Sequence, residues 1–155
     1  MKQIKNLSKP LILIMIGGFS YVMIELLYRG YSHWTMFLVG GLAFFLIGCI
    51  NEYIEWHMPL YQQMFIGMLI ITALEFITGY IVNVKLGWNV WDYSNLPLNI
   101  MGQICIPFCL IWYFLSVVGI VLDDFLRYWI WSEEKPHYHL FRKCKDDQYD
   151  RLFCL

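Results

Sequence analysis

One carboxylate, Glu75, stands alone in an otherwise uncharged run from Met64 to Val84. A carboxylate at the middle of a bilayer costs roughly 3 kcal/mol on insertion scales. It survives by facing a bundle interior, by finding a partner or by taking a proton. Thr72, Thr78 and Gly79 sit at i−3, i+3 and i+4 from it. They make one small, polar helix face suited to close packing or a wet cavity. A second carboxylate, Glu25, has Arg29 at i+4, the favourable order for a helical ion pair. One guanidinium cannot neutralise two buried carboxylates. A proton, a cation or the amine of a substrate must complete the balance.

Such a pair supports three kinds of chemistry. It can bind a cation or amine. It can supply a general base, or hold a divalent metal, for a reaction on a lipid or lipid-linked substrate. It can also simply tie helices together, which is the default for buried Glu–Arg and Asn/Thr contacts.

The elements that position these residues follow from composition. Of 155 residues, 59% are hydrophobic and only 15% charged, and the mean hydropathy is +0.53. Soluble domains carry about a quarter charged residues, so this chain lacks the polar side chains to solvate four helix surfaces. The formal charge of −1 gives no electrostatic footprint for nucleic acid. Charge is concentrated at one end: residues 123–155 hold six Lys/Arg and seven Asp/Glu, against five of each elsewhere.

A helix needs about 20 apolar residues to cross a bilayer core. Four segments approach that length: 11–27, 34–50, 64–84 and 104–122. Aromatics mark their ends (Tyr28, Trp34, Tyr53, Trp56, Tyr61, Trp88, Trp91), as interfacial belts require. The N-terminus has the Lys2, Lys5, Lys9 and LILIMI pattern of a signal peptide but no small-residue cleavage site, and is read as an uncleaved first helix. Lys2, Lys5, Lys9, Arg127 and Lys135 flank one side, against Arg29 and Lys85 on the other, so both termini are expected in the cytoplasm.

With that orientation Glu25 lies ~21 Å above Leu11 and Glu75 ~16 Å above Met64, both in the outer half of the membrane. The outer side also receives Ser32, His33, Asn83, Trp91, Asp92, Tyr93, Asn99 and Gln103. The outer connection, 85–103, is long for so small a chain and rich in turn formers, which marks a functional or self-packed loop. Its 95–102 portion is expected to dip back toward the membrane. The candidate pocket is therefore Glu25, Arg29, Glu75, Asn83, Trp91, Asp92, Tyr93 and Asn99, with Trp88 and Trp91 bordering its mouth.

Beyond 122 the sequence reads as a cytosolic interfacial tail. Phe125, Tyr128 and Trp129 share one face of a short amphipathic helix that ends near Pro136. Pro107 is expected to bend the first turns of the fourth helix. Gly17-Gly18 and Gly40-Gly41 permit close helix approach without forming GxxxG.

The remaining constellations are weaker. Glu52, Glu55 and His57 fit an interfacial connection as well as a metal site, and His137, His139 and Cys144 lack a fourth ligand at zinc spacing. No metal or cofactor is expected. Cys49, Cys105 and Cys109 lie in apolar runs, and Cys144 and Cys154 in the charged tail, so no disulfide framework emerges. There is no GxxxxGK[ST], GxSxG or HExxH.

Three stretches carry a resemblance. They are Leu74-Glu75-Phe76-Ile77-Thr78-Gly79 with Asn83; Trp91-Asp92-Tyr93-Ser94-Asn95-Leu96-Pro97-Leu98-Asn99 with Gly102; and Asp123-Asp124-Phe125-Leu126-Arg127-Tyr128-Trp129 with Glu133-Glu134-Lys135-Pro136. In these the chain resembles the bacterial membrane family described as Putative ABC-transporter type IV, from Glu25 through about Tyr138. The resemblance implies a small multi-pass protein of the cytoplasmic membrane, often called a permease. An ABC-type permease requires a separate ATPase chain, and four helices are few for a translocation path without oligomerisation. It supplies no catalytic residue.

The expectation is an all-α membrane protein, a bundle of four transmembrane helices with a long outer loop and a short tail helix. The partners expected are the lipid bilayer and a second copy, a membrane chain or an ATPase. The functional reading is a transporter permease subunit, with a membrane enzyme on a lipid substrate or a non-catalytic scaffold as alternatives.

Overall fold

The computed structural model describes residues 2–54 and 58–138. It is a helical bundle in the element order α1 (Lys2–Arg29), α2 (Trp34–Gly48), α3 (Ile50–Tyr53), α4 (Leu60–Gly79), a π-helical extension (Tyr80–Lys85), β1 (Asn99–Ile100), β2 (Ile104–Cys105) and α5 (Ile106–Trp131). Among the described residues, four stretches are long and apolar enough to cross a membrane: Ser8–Arg29, Trp34–Tyr53, Leu60–Lys85 and Ile106–Trp131.

The first and last helices outrun their expected bounds. α1 begins at Lys2 and carries Pro10 inside it, since proline's fixed φ is compatible with a helix at the loss of one backbone bond. α5 begins at Ile106 with Pro107 in its first turn. There the missing N–H has no intrahelical partner to lose, so the proline starts the helix instead of bending it. At its other end α5 runs unbroken through Asp123 to Trp131, where Ser132 closes it in a left-handed conformation. The segment expected as a separate tail helix is thus the end of the fourth span. No glycine or proline lies between Leu122 and Trp131 to interrupt it.

α5 also shows why this surface belongs in lipid. It buries Ser116, Asp123, Asp124 and Arg127 and turns Phe114, Val118, Trp129 and Ile130 outward. A soluble helix has the opposite polarity.

α1 packs along α2, while α4 and α5 pair with each other and both rest on α2; α1 approaches α4 and α5 only weakly. Glycine makes the crossings close. A Cβ at Gly17 would overlap Phe44, at Gly18 Phe37, at Gly40 Tyr21 and at Gly41 the Ile14 backbone. The two glycine pairs therefore interlock: each helix offers its bare backbone to a large side chain of the other. A Cβ at Gly67 would lie 2.6 Å from the Ser116 hydroxyl on α5. Gly48 likewise makes room for the Asp123 carboxylate.

Residues 86–105 cover one end of the bundle, the loop face. β1 and β2 pair antiparallel there, Asn99 with Cys105 and Ile100 with Ile104. Lys9 and Glu133 mark the opposite end, the terminal face, where the first and last helices come together.

Replacing Gly67 by valine should lower stability by about 1–3 kcal/mol, as overpacking does. Gly119→Ala is the control, because its Cβ would meet only Ile47 at 3.9 Å. Thermal unfolding in detergent should separate the two variants, and equal melting would refute the close α4–α5 crossing.

Candidate functional site

Glu75 lies in the last two turns of α4, 3% exposed. Two neutral donors reach it. The Tyr93 hydroxyl donates to Oε1 at 2.9 Å, and the Trp112 indole N–H donates to Oε2 at 2.8 Å. Tyr93 comes from the loop and Trp112 from α5, so the carboxylate joins three segments. Phe108 fixes both donors, stacking on Tyr93 at 4.4 Å and lying 5.9 Å from Trp112. Burial, and then the charge of Glu75, pushes the Tyr93 hydroxyl above its ordinary pKa, which keeps it a donor.

Glu25 is the other carboxylate. Arg29 Nη2 donates to Oε1 at 2.7 Å and Ser32 Oγ to Oε2 at 2.5 Å. The same guanidinium donates from Nη1 to the Val90 carbonyl at 3.0 Å and lies over the Tyr31 ring. Glu25 thus has a cation and Glu75 has none among the described residues. Glu25 and Glu75 are close enough for their charges to interact, and Tyr21 lies within reach of both and of Arg29. Both carboxylates face the bundle interior.

Asn83 holds the loop down. Its Nδ2 donates to the Trp91 carbonyl at 3.0 Å and to Gln103 Oε1 at 2.8 Å, and its Oδ1 accepts from the Val90 N–H at 2.7 Å. The widened π turn presents Asn83 in this way: Leu86 N–H bonds the Ile81 carbonyl at 3.0 Å, five residues back. The Trp91 indole donates to the Gln103 carbonyl, and both side chains pack against Gly79.

Two of the predicted pocket residues stand elsewhere. Asp92 is exposed, and its Oδ1 accepts from the Ser94 N–H at 2.8 Å and the Ser94 hydroxyl at 2.5 Å. Those donors hold its carboxyl below the usual range. Asn99 donates to the Ser94 and Leu96 carbonyls and accepts from the Gly102 N–H. Both shape the loop, where Asn89, Leu98 and Met101 sit at positive φ. Local side-chain bonds to backbone explain them, a use of Asp and Asn in turns that competes with any pocket role. The part of the loop that packs on α4 is Trp91, Tyr93 and Gln103. Leu98, Ile100 and Met101 are exposed.

Tyr21, Gln103 and Trp112 complete the site and were not among its expected members. The signal for Trp112 was available: an indole N–H inside a hydrocarbon span needs an acceptor, and Glu75 is the carboxylate within its depth. Below Glu75 a groove of about 110 Å3 runs between α1 and α5, floored by Val39, Ala43 and Ile47 of α2.

A second polar cluster occupies the terminal face, where an interfacial tail was expected. Asp123 is 0% and Arg127 4% exposed. They pair at i,i+4, and Arg127 also reaches Glu52 at 3.4 Å. Asp124 accepts from Asn51 Nδ2 at 2.6 Å and from the Tyr138 hydroxyl at 2.7 Å. Lys9 bridges Glu133 and Glu52. Burial, and the Asp124 carboxylate, raise the Tyr138 pKa. Glu52 is therefore an ion-pair partner of Lys9 and Arg127; Glu55, Trp56, His57, His139, Cys144 and Cys154 lie outside the described residues.

These features define a multi-pass helical membrane protein with polar side chains turned inward at both ends. A family model described as Putative ABC-transporter type IV matches residues 7–139, and the chain belongs to that family. No curated protein and no solved structure matches it.

Arg127→Met should cost about 3–5 kcal/mol, since it leaves the Asp123 carboxylate buried and uncompensated. Trp112→Phe should cost about 1 kcal/mol. Chemical unfolding in mixed micelles measures both. Asp92 stabilises the loop while ionised, so its contribution is present at neutral pH and lost as pH falls below the usual carboxylate range. Asp92→Ala should raise protease cutting within 92–102 at pH 7, and the difference from the parent protein should shrink in acid.

Proposed function

We propose that the chain is the membrane-spanning permease subunit of a transporter, and that the Glu75 network is the place where a cation or the amine of a substrate binds. The observation that carries this reading is the charge balance. Glu75 is buried, accepts from two neutral donors and has no cation among the described residues, while the guanidinium of Arg29 is taken by Glu25. A carboxylate has about four acceptor positions, so bonds to Tyr93 and Trp112 leave room for a further donor. An ionised carboxylate in hydrocarbon is strongly stabilised by an arriving positive charge.

The loop face is extracytoplasmic in this reading, because the lysines and arginines flanking the helices favour the terminal face as cytoplasmic. Trp88 borders the mouth, close to His33 and Trp34. The energy source in this reading is an ATPase, as an ABC-type transporter requires. The terminal face, with its Lys9, Glu52 and Arg127 network, is the surface such a chain would engage. A second copy of the subunit would complete the path.

Glu75→Gln keeps an acceptor for Tyr93 and Trp112 but removes the charge. It should abolish Glu75-dependent cation or amine uptake while leaving membrane insertion and elution profile intact. Unchanged uptake would remove this site from the transport path.

A further inference from the structure

We infer that the amine is carried on a hydrocarbon chain: the ligand is a single-chain amphiphilic amine that enters sideways from the bilayer, its chain in the α1–α5 groove and its ammonium at Glu75. This deepens the proposed function and rests on it.

The groove exists because α1 packs on α2 and not on α5. α1 and α5 approach each other at Tyr21–Trp112 (ring centroids 6.1 Å apart) and at Lys9, which bridges to Glu133 and lies over Trp131. Between these contacts the floor is α2 and the far wall is Leu115, Gly119 and Leu122 of α5. From Met36 to Ile47 the floor runs roughly 16 Å. Polar lining is gathered at one end, where Ser20, Tyr21, Glu75 and the Trp112 indole lie; the rest is apolar.

The rim identifies the occupant. Ile24 is 45% and Val118 57% exposed, and both stand inside spans Ser8–Arg29 and Ile106–Trp131. The groove therefore opens sideways at the depth of acyl chains, apart from the loop-face entrance bordered by Trp88. Transfer of an alkyl chain from lipid into such a groove has little hydrophobic driving force, because both surroundings are equally apolar. Selectivity must come from the polar end. There the ungratified charge is negative, so a chain bearing an ammonium is preferred over one bearing a hydroxyl or a carboxylate. Tyr93 and Trp112 fill two of the roughly four acceptor positions of Glu75, and Glu75 is among the residues that line the groove.

The test uses the full-length protein in phosphatidylcholine nanodiscs, with tritiated n-dodecylamine as the probe and n-dodecanol, dodecanoate and n-butylamine as competitors, all expressed per lipid. Dodecylamine should bind about tenfold more tightly than dodecanol, and dodecanoate more weakly still. Glu75→Gln should erase the preference for amine over alcohol. Gly119→Leu projects into the groove, where a Cβ meets only Ile47 at 3.9 Å. It should weaken dodecylamine about tenfold and leave butylamine binding unchanged, and Ala43→Leu on the floor should do the same. Melting temperature and elution profile confirm that each variant is folded. If both amines depend on Glu75 but neither groove variant affects dodecylamine, the chain site is overturned and the amine site stands. If Glu75→Gln changes neither amine, the proposed site falls as well. Equal binding of amine and alcohol to the parent protein overturns the assignment of ligand charge.

Discussion

Hydrocarbon offers no hydrogen bonds, and the arrangement of this protein follows from that. Every charged side chain drawn into the four spans must find its partners within the chain, because the solvent will not supply them. Glu25 takes Arg29 and Ser32, Asp123 takes Arg127, and Asp124 takes Asn51 and Tyr138. Glu75 meets the requirement differently, with an indole and a phenol. The helices turn these groups inward and leave Phe, Leu, Ile and Trp to the lipid. The bundle thereby gains a polar interior at both ends and an apolar waist between them.

The close approach that this interior needs comes from residues without side chains. The Gly17-Gly18 and Gly40-Gly41 pairs let α1 and α2 interlock, Gly67 brings α4 against Ser116, and Gly79 admits Trp91 and Gln103. The α1–α2 contact is the more extensive, which leaves α1 apart from α5. Tight packing on one side of α1 is thus the reason for the groove on its other side.

Much of this was legible in the sequence for physical reasons that can be named. Long uninterrupted apolar runs specify spans, and an isolated carboxylate such as Glu75 specifies an inward face. The inward, neighbouring placement of Glu25 and Glu75 followed from their heights along parallel helices. Asp92 and Asn99 were harder, because short polar side chains in a turn-rich loop bond their own backbone as readily as they enter a pocket. Trp112 and Tyr21 were hidden by their apolar rings, which read as core or interface. The buried terminal cluster was hidden by context: Asp123, Asp124 and Arg127 adjoin a strongly charged stretch and look solvated, and only the unbroken course of α5 brings them under Asn51 and Tyr138.

The sources of the two hydrogen bonds to Glu75 bear on how the chain is made. On the ribosome Glu75 is synthesised 18 residues before Tyr93 and 37 before Trp112. At the moment Glu75 joins the growing chain, neither donor has been translated. The carboxylate therefore gains its two bonds only once the loop and the following helix have been made. Completion of the second hairpin is in this sense a paired event, since the carboxylate of α4 is satisfied only by groups from the loop and α5.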